Sequence, residues 1–291
     1  MAFDSSTTAL QHARRAWPGL FPSCEDSACA HHSGRWTRLW RNVTVRFEGH
    51  SYCDSDCLER AVTRKLQRLL SKLKSPLPTP YRVPIGLLLL SRGLITDTQL
   101  REALAAQRGA GRGKLGDWLI KLGSTTEDQI TSALGIQWGC PVYPFAVGEG
   151  VALDQPLPLA LLNDARVLPV HYNPTLGAIH IAFLERVDYN LLYVIEQMTG
   201  CKTVPCVSLP SAISQALASL GNVGRTRELV FEAAHTLEEM ARIVRNYASA
   251  LGALEILVSS YLQFVWFRLV SQVDTTDVLF RNVPSASYRM D

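Results

Sequence analysis

Apolar and glycine positions follow the same order in two stretches of the chain, residues 84–107 and residues 114–137. Each stretch has a short apolar run, a glycine, a Thr-x-x-Gln segment and a second apolar run with helical spacing. Repetition of this pattern at a fixed spacing is typical of duplicated structure. The identical pairs are Gly86/Gly116, Leu89/Leu119, Gly93/Gly123, Thr96/Thr126, Gln99/Gln129, Ala103/Ala133, Leu104/Leu134 and Gln107/Gln137. Apolar character is also kept at Ile85/Leu115, Leu90/Ile120 and Leu100/Ile130.

Each copy predicts a short helix, a glycine stop and a second helix. Gly93 and Gly123 follow the first apolar run, where a residue in the left-handed conformation commonly ends a helix. Thr96 and Gln99 then have the spacing of a capping box at the start of a helix, and the second copy repeats this pair. Because a unit of this size cannot bury its own apolar face, we expect the two copies to pack against each other as a pseudo-symmetric pair.

The tandem pattern resembles the N-terminal domain of the type II secretion and type IV pilus assembly ATPases, a GspE N-terminal-like domain also called the MshEN domain. The shared pattern is (R)LGxxLLxxGxxxxxxLxxxLxxQ, and the likeness covers about residues 84–220. The resemblance implies a second, α/β subdomain after the repeats. Its strands are expected at 166–170, 178–183 and 202–207, and its helices at 188–199 and 211–220.

In that family the tandem motif can bind cyclic di-GMP, so the resemblance implies nucleotide binding without chemistry. The family's ligand-contacting positions fall here on backbone, apolar and terminal Gln residues of both copies. In the first copy they are Ile85, Gly86, Leu89, Leu90, Gly93, Leu100, Leu104 and Gln107. In the second copy they are Lys114, Leu115, Gly116, Leu119, Ile120, Gly123, Ile130, Leu134 and Gln137.

Two positions depart from the family motif. Pro84 stands at the first motif Arg and Lys114 at the second, so neither planar guanidinium fork is present. Lys114 can still meet a phosphate as a point charge. The arginines that could substitute from the flanks are Arg82, Arg108 and Arg112. The alternative interpretation of the repeat is a fold kept for protein contacts, because leucines at helical spacing are most often core and such glycines most often helix stops.

Four cysteines form a second group of candidate site residues, and they are Cys24, Cys29, Cys53 and Cys57. A hairpin turning at Glu48-Gly49 would bring the second pair beside the first. Cys53 and Cys57 would then lie at the start of a helix, whose N-terminus stabilises thiolates. Four thiolates suit tetrahedral zinc, which can hold together a segment too small for its own core. The histidines that could replace one ligand are His31, His32 and His50. Buried reduced cysteines without a metal are the alternative.

The remaining patterns predict a basic helix, a linker and a C-terminal unit. The helix covers residues 58–74, and its charges favour a solvated face over nucleic-acid or membrane binding, so nucleic acid is not an expected partner. Pro-rich residues 75–83 follow as an extended linker. The C-terminal patterns predict a helix at 235–251 and strands near 254–259, 263–270 and 277–282.

A glycine-rich segment at 109–114 lacks the features of a phosphate loop. The pattern GxxxxGK[ST] needs glycine where Arg108 stands and a hydroxyl where Leu115 stands. The segment also lies between two predicted helical repeats, and too few residues follow position 220 for an ATPase motor. We therefore expect no catalytic site and no ATP hydrolysis.

The first residues lack the apolar core of a signal peptide, and no stretch has the pattern of a transmembrane helix. Seven cysteines without a secretory signal are typical of a reducing compartment, where paired disulfides are not expected. We therefore expect a cytoplasmic bacterial protein. Its expected partner is a protein of a secretion, pilus or signalling assembly.

Together these patterns predict an α+β multidomain protein. The predicted parts are a Cys-rich zinc-binding segment with a basic helix (1–74), a Pro-rich linker (75–83), a tandem-repeat helical subdomain (84–145), a small α/β subdomain of the MshEN-like module (146–220) and a C-terminal αβββ unit (225–291). The predicted function is non-catalytic sensing of cyclic di-GMP or docking. The alternative is a purely structural adaptor between proteins, without nucleotide binding.

Overall fold

The structure is a computed structural model and describes residues 24–29, 45–72, 82–144, 157–184, 186–221, 228–233 and 235–281. The chain forms two compact units, one from Met1–Pro76 with Thr226–Asp291 and one from Leu77–Arg225. Both contain helices and strands, in agreement with the predicted mixed class. Most of the predicted linker, residues 75–81, lies outside the described residues, as do His31 and His32.

The described helices are α1 (Ser55–Lys72), α2 (Ile85–Ser91), α3 (Asp97–Ala110), α4 (Leu115–Lys121), α5 (Glu127–Trp138), α6 (Leu159–Ala165), α7 (Tyr189–Thr199), α8 (Pro210–Gly221) and α9 (Leu237–Ala250). The described strands are β1 (Val45–Phe47), β2 (His50–Tyr52), β3 (Val167–Asn173), β4 (Ala178–Phe183), β5 (Lys202–Val207), β6 (Glu228–Phe231), β7 (Glu255–Tyr261), β8 (Phe264–Val270) and β9 (Thr275–Phe280).

The predicted glycine stops are confirmed in both repeats. Gly93 has a φ of 66° and Gly123 a φ of 68°, the left-handed conformation that glycine adopts without a steric cost. The Gly93 N–H donates to the carbonyl of Leu90 at 3.0 Å, and the Gly123 N–H donates to that of Ile120 at 2.9 Å. Helices α2 and α4 therefore end in the same way.

The predicted capping boxes are also confirmed. The Gln99 N–H donates to the Thr96 hydroxyl oxygen at 3.3 Å, while the Thr96 N–H donates to Gln99 Oε1 at 2.8 Å. In the second copy the Gln129 N–H donates to the Thr126 hydroxyl oxygen at 3.3 Å, and the Thr126 N–H donates to Gln129 Oε1 at 3.1 Å. These reciprocal bonds satisfy backbone N–H groups at the starts of α3 and α5.

The two repeats pack against each other as predicted. Helix α3 of the first copy packs on α4 of the second, and α2 of the first packs on α5 of the second. Leu89 and Leu119, which are equivalent positions, are fully buried in the shared core. Each repeat therefore buries its apolar face against the other copy, which is the arrangement of a pseudo-symmetric pair.

A three-stranded sheet of order β3-β4-β5 follows the repeats in the same unit. Strands β3 and β4 are antiparallel, and β4 and β5 are parallel. The bounds of β4 and β5 are those predicted. Strand β3 extends beyond the predicted 166–170 because its pairing continues to Asn173, opposite Ala178.

A six-stranded sheet of order β2-β1-β7-β8-β9-β6 forms the other unit. Strand β1 pairs in parallel with β7, with Phe47 beside Ile256. Helices α1 and α9 contribute Leu66 and Val244 to the same buried core as Phe267 of β8. The sequence presents the N-terminal and C-terminal segments as separate parts of the chain, whereas the structure joins strands of both in one sheet.

The predicted turn at Glu48-Gly49 is confirmed, because both residues have positive φ values, 52° and 81°, between the paired strands β1 and β2. Strand β6 was not predicted. It has four half-buried residues and pairs in parallel with β9. A segment this short has too few alternating positions to give a strand pattern.

Candidate ligand and metal sites

The two repeats are linked to each other through their terminal glutamines. The Gln107 side-chain amide donates to the Gly113 carbonyl at 2.9 Å, immediately before the second copy begins. The Gln137 amide donates to the Val83 carbonyl at 2.7 Å, immediately before the first copy begins. Each repeat therefore ends by binding the backbone at the start of the other, and both predicted ligand glutamines have protein partners.

The predicted ligand positions differ in burial. The buried ones are Gly86, Leu89, Leu100, Leu119, Ile130 and Leu134. The half-buried ones are Ile85, Leu90, Leu104, Gln107, Leu115, Gly116 and Gln137. The exposed ones are Gly93, Lys114, Ile120 and Gly123. The first group forms the core of the repeats, so a molecule approaching from solvent would meet the second and third groups.

Gly86 and Gly116 lie where the first helix of each repeat packs on its neighbours. A Cβ atom at Gly86 would come within 2.8 Å of Leu100 Cδ1 and 3.0 Å of Leu115 Cδ2. At Gly116 the nearest atom would be Ile130 Cγ2, at an ordinary contact distance of 3.4 Å. Helix packing therefore gives a physical reason for glycine at the first position and a weaker one at the second.

Charge at the motif's opening positions is confined to the second copy. Pro84 precedes α2 and carries none. Lys114 precedes α4 with an exposed side chain, and its N–H donates to Asp117 Oδ2 at 3.4 Å. A phosphate could therefore approach the Lys114 ammonium group from solvent.

Of the three flanking arginines, Arg82 is held by the repeat itself. Its Nη1 donates to the Gln137 carbonyl at 2.7 Å, and its Cζ lies 3.9 Å from the centroid of a Trp138 ring. This places the guanidinium at the C-terminal end of α5, where a cation is favourable. Arg108 and Arg112 are exposed. The two exposed flanking arginines therefore lie in the segment between the end of the first copy and the start of the second.

The four predicted metal ligands are brought together. The Sγ atoms of Cys24, Cys29, Cys53 and Cys57 all lie within 4.8 Å of one another. The Cys29 and Cys53 sulfurs are 3.4 Å apart, and those of Cys53 and Cys57 are 3.9 Å apart. Three of these residues are buried and Cys53 is half-buried. The described residues contain no other group of three or more such side chains with converging ligand atoms.

Helix α1 presents two of the thiols at its start, as predicted. The Cys57 N–H donates to Asp54 Oδ1 at 2.7 Å, so Asp54 caps the first turn. Burial acts to raise the pKa of Asp54, but hydrogen bonds from Cys57 and Cys53 lower it below the ordinary value. A charged Asp54 beside the thiols adds to the local need for a cation.

Without a metal, the cluster opposes ionisation of its own thiols. Burial, followed by hydrogen bonds with Cys29 and Cys24, raises the pKa of Cys53 to about 12. Burial and a hydrogen bond with Asp54 raise the pKa of Cys57 as well. A coordinated cation reverses this balance, because it deprotonates the thiols that bind it. The donor set and its spacing therefore fit a cation that prefers thiolates.

Three charged side chains around the cysteines were not identified from the sequence. Asp26, between Cys24 and Cys29, is fully buried and contacts both Arg60 and Arg64 of α1. The available signals were an acidic residue inside the first cysteine pair and two arginines one helical turn apart. A basic helix most often presents its charges to solvent, so the sequence pattern alone does not indicate these ion pairs.

Within the described part of the chain, every helix is too short or too polar to cross a lipid bilayer.

Comparison with known proteins gives matches for about half of the chain. No protein-family model matches it. Over 135 residues, 46% of the chain, it is 29% identical to the type IV pilus assembly ATPase PilB of Thermus thermophilus. The chain matches 15% of the length of that relative.

Two solved structures are also similar to part of the chain. The structure of MshE with cdg is 26% identical, covers 47% of this chain and 99% of its own, and has a TM-score of 0.40. The structure of the N-terminal domain of XpsE is 22% identical, covers 46% of this chain and 91% of its own, and has a TM-score of 0.35. The sequence match therefore relates about half of the chain to part of a pilus assembly ATPase, in agreement with what the tandem motif implied.

Proposed function

We propose that the chain is a non-catalytic regulatory or docking protein of a secretion, pilus or signalling assembly in the cytoplasm. Its working part is a module at 84–220, with a helical subdomain at 84–145 and an α/β subdomain at 146–220. The observation that carries this proposal is the pseudo-symmetric packing of the two repeats, with Lys114 exposed at the start of the second. The partial likeness to a pilus assembly ATPase supports it.

The ligand class of the proposed module is cyclic di-GMP, held across the two repeats. Cyclic di-GMP consists of two identical halves, which suits a surface built from two equivalent repeats. The two repeats differ in charge at the first position of the motif, because Pro84 stands at one motif Arg and Lys114 stands at the other. Each lost bidentate contact costs about 1–3 kcal/mol. We therefore expect binding in the micromolar range or weaker, with Lys114 as the main phosphate contact.

Calorimetric titration of cyclic di-GMP into the full chain tests this ligand. Lys114→Ala should weaken binding, and Lys202→Ala, at an exposed position in β5, is the matched control. Introducing Pro84→Arg and Lys114→Arg together should strengthen binding by about one decade or more. No heat with the wild type and none with the double variant would exclude cyclic di-GMP.

A second candidate function is an adaptor without nucleotide binding. The observation that favours it is that several motif leucines and Gly86 pack the core, and both glutamines bind backbone carbonyls. The motif can then serve the fold alone. Crosslinking of the full chain to secretion and pilus components, with and without cyclic di-GMP, separates the two candidates. Partner capture that is independent of the nucleotide supports the adaptor.

We also propose that Cys24, Cys29, Cys53 and Cys57 bind one structural zinc ion. Tetrahedral zinc with Zn–S bonds of about 2.3 Å requires sulfurs about 3.8 Å apart, close to the 3.4 and 3.9 Å separations found here. Elemental analysis of protein prepared without chelator should give about one zinc per chain. Cys57→Ser should lose the metal and Cys140→Ser should retain it. Metal-free wild-type protein whose melting is unchanged by EDTA would exclude this site.

A further inference from the structure

One guanidinium group connects the two halves of the cysteine cluster. Arg60 Nε and Nη2 lie 2.8 and 2.7 Å from Asp26 Oδ2. Arg60 Nη2 also donates to Cys57 Sγ at 3.3 Å. Asp26 belongs to the loop that carries Cys24 and Cys29, whereas Arg60 and Cys57 belong to α1. Arg60 therefore touches a ligand on the helix while bound to the loop that holds the other pair.

Asp26 is bound by arginines of α1 through both of its carboxylate oxygens. It is fully buried, and Arg64 Nη2 binds its second oxygen, Oδ1, at 2.8 Å. The loop also contains an internal hydrogen bond, in which the Cys29 N–H donates to the Asp26 carbonyl at 3.0 Å. Asp26 therefore holds two arginines of α1 against the loop that carries Cys24 and Cys29.

The arginines need Asp26 to stay where they are. The side chains of Arg60 and Arg64 are 44% and 41% exposed, so both could extend into water without it. Four thiolates around one divalent cation leave an excess of negative charge, and a charge-assisted hydrogen bond to a sulfur offsets part of it. The Arg60 guanidinium contacts the Cys57 sulfur because Asp26 orients it toward the cluster.

We propose that Asp26 and Arg60, with Arg64, act as a clamp of positioning residues that raises the affinity of the four cysteines for zinc. Asp26 fixes the Arg60 guanidinium against Cys57 Sγ, and this contact places a cationic hydrogen-bond donor on one of the sulfurs that would bind the metal. This inference rests on the proposed zinc site. Outer partners of metal ligands commonly contribute about 10–100-fold to metal affinity.

Substitution at Asp26 distinguishes positioning from general charge. If the arginines acted only through their net charge, Asp26→Asn would remove a nearby negative charge and strengthen zinc binding. If Asp26 positions Arg60, the same change should weaken binding by about 10–100-fold. Arg60→Met should weaken it to a similar extent, and Arg60→Lys should recover part of the loss. Arg68→Met is the matched control, because Arg68 is an exposed arginine two turns further along α1.

Zinc affinity of the full chain and of each variant is measured by competition with a chromophoric chelator. The cobalt(II) spectrum checks that four thiolates still bind, and melting in EDTA reports the stability of the metal-free protein. The expected result is weaker zinc binding by Asp26→Asn and Arg60→Met with the tetrathiolate spectrum retained. Unchanged affinity in both, or stronger binding by Asp26→Asn, would overturn the clamp.

Three further outcomes are separated by the same measurements. Lower melting of the metal-free variants with unchanged zinc affinity would show a purely structural salt bridge and overturn the inference. A wild-type chain that binds neither zinc nor cobalt would overturn the proposed zinc site, and the clamp with it. A wild type that binds one zinc, together with variants that bind it equally well, would leave the zinc site standing and remove the clamp alone.

Discussion

Gln137 donates its side-chain amide to the backbone carbonyl of Val83, a hydrogen bond of 2.7 Å that joins the end of the second repeat to the start of the first. Gln107 makes the equivalent bond to Gly113. The two bonds are related by the duplication, and together they close the repeat pair. Both motif glutamines therefore make structural hydrogen bonds to the backbone that do not require a ligand.

Replacing these glutamines should destabilise the repeat pair. Gln107→Met and Gln137→Met keep much of the side-chain volume but remove the amide donor, so each should lower the free energy of unfolding by about 0.5–1.5 kcal/mol. Urea unfolding of the full chain measures the change. Gln197→Met, at an exposed position on α7, is the control and should change stability by less than either. Equal losses of unfolding free energy at Gln107, Gln137 and Gln197 would contradict a role of the first two in joining the repeats.

The two motif glycines should respond differently to alanine. A methyl group at Gly86 would lie 2.8 Å from Leu100 Cδ1, whereas at Gly116 the nearest atom is 3.4 Å away. Alanine has the higher helix propensity, so Gly116→Ala should be neutral or stabilising by up to about 1 kcal/mol. Gly86→Ala should be less stable than Gly116→Ala by about 1–2 kcal/mol, because Leu100 and Leu115 must move. Thermal melting of both variants checks the order.

The tandem repeat was predictable because its signals are local. Helix periodicity, a glycine stop and a Thr-x-x-Gln cap all lie within a few residues, so Gly93 and Thr96 could be assigned to their roles without knowledge of the tertiary structure. The partners of Gln107 and Gln137 could not be assigned in this way. A side-chain amide can bind any nearby carbonyl, and only the packing of the two copies decides which one.

The joining of the chain ends was not predictable for a related reason. Strand β1 has three residues, and its parallel partner β7 lies far along the chain, so no local pattern connects Phe47 with Ile256. The cysteine cluster was predictable because its four side chains share one chemistry. Asp26 and Arg60 were not, because charged residues near a basic helix most often face solvent.

A buried ion pair should be essential to the six-stranded sheet. Arg268 Nε and Nη2 donate to the two carboxylate oxygens of Asp277 at 2.8 and 2.9 Å, and Trp266 Nε1 donates to Oδ1 at 2.8 Å. Asp277→Asn removes the charge that faces a buried guanidinium, so it should cost about 3–5 kcal/mol of unfolding free energy. Chemical denaturation measures this cost.

The matched control for Asp277→Asn is Glu102→Gln, which neutralises an exposed carboxylate on α3 and should change stability by no more than about 0.5 kcal/mol. Replacing the pair together, with Arg268→Met and Asp277→Leu, should recover part of the loss, because an apolar pair leaves no buried charge. A double variant that is no more stable than Asp277→Asn would show that the hydrogen bond with Trp266 dominates.

Zinc removal should increase local unfolding of the C-terminal strands and leave the stability of the repeats unchanged. Cys57 belongs to the same buried core as Val244 of α9 and Phe267 of β8, so loss of a metal from the cysteines should weaken packing far along the chain. Hydrogen exchange with and without EDTA measures this effect, and faster exchange is expected in β7, β8 and α9.

Helices α3 and α5 are the internal reference in the same sample, because they belong to the other compact unit. Their exchange should not change, and Cys57→Ser protein without EDTA should reproduce the pattern of the chelated wild type. If EDTA left β7 and β8 protected while the cysteines lost their metal, the core shared with α9 would be stable on apolar packing alone. The zinc ion would then organise only the loop at 24–29 and the start of α1.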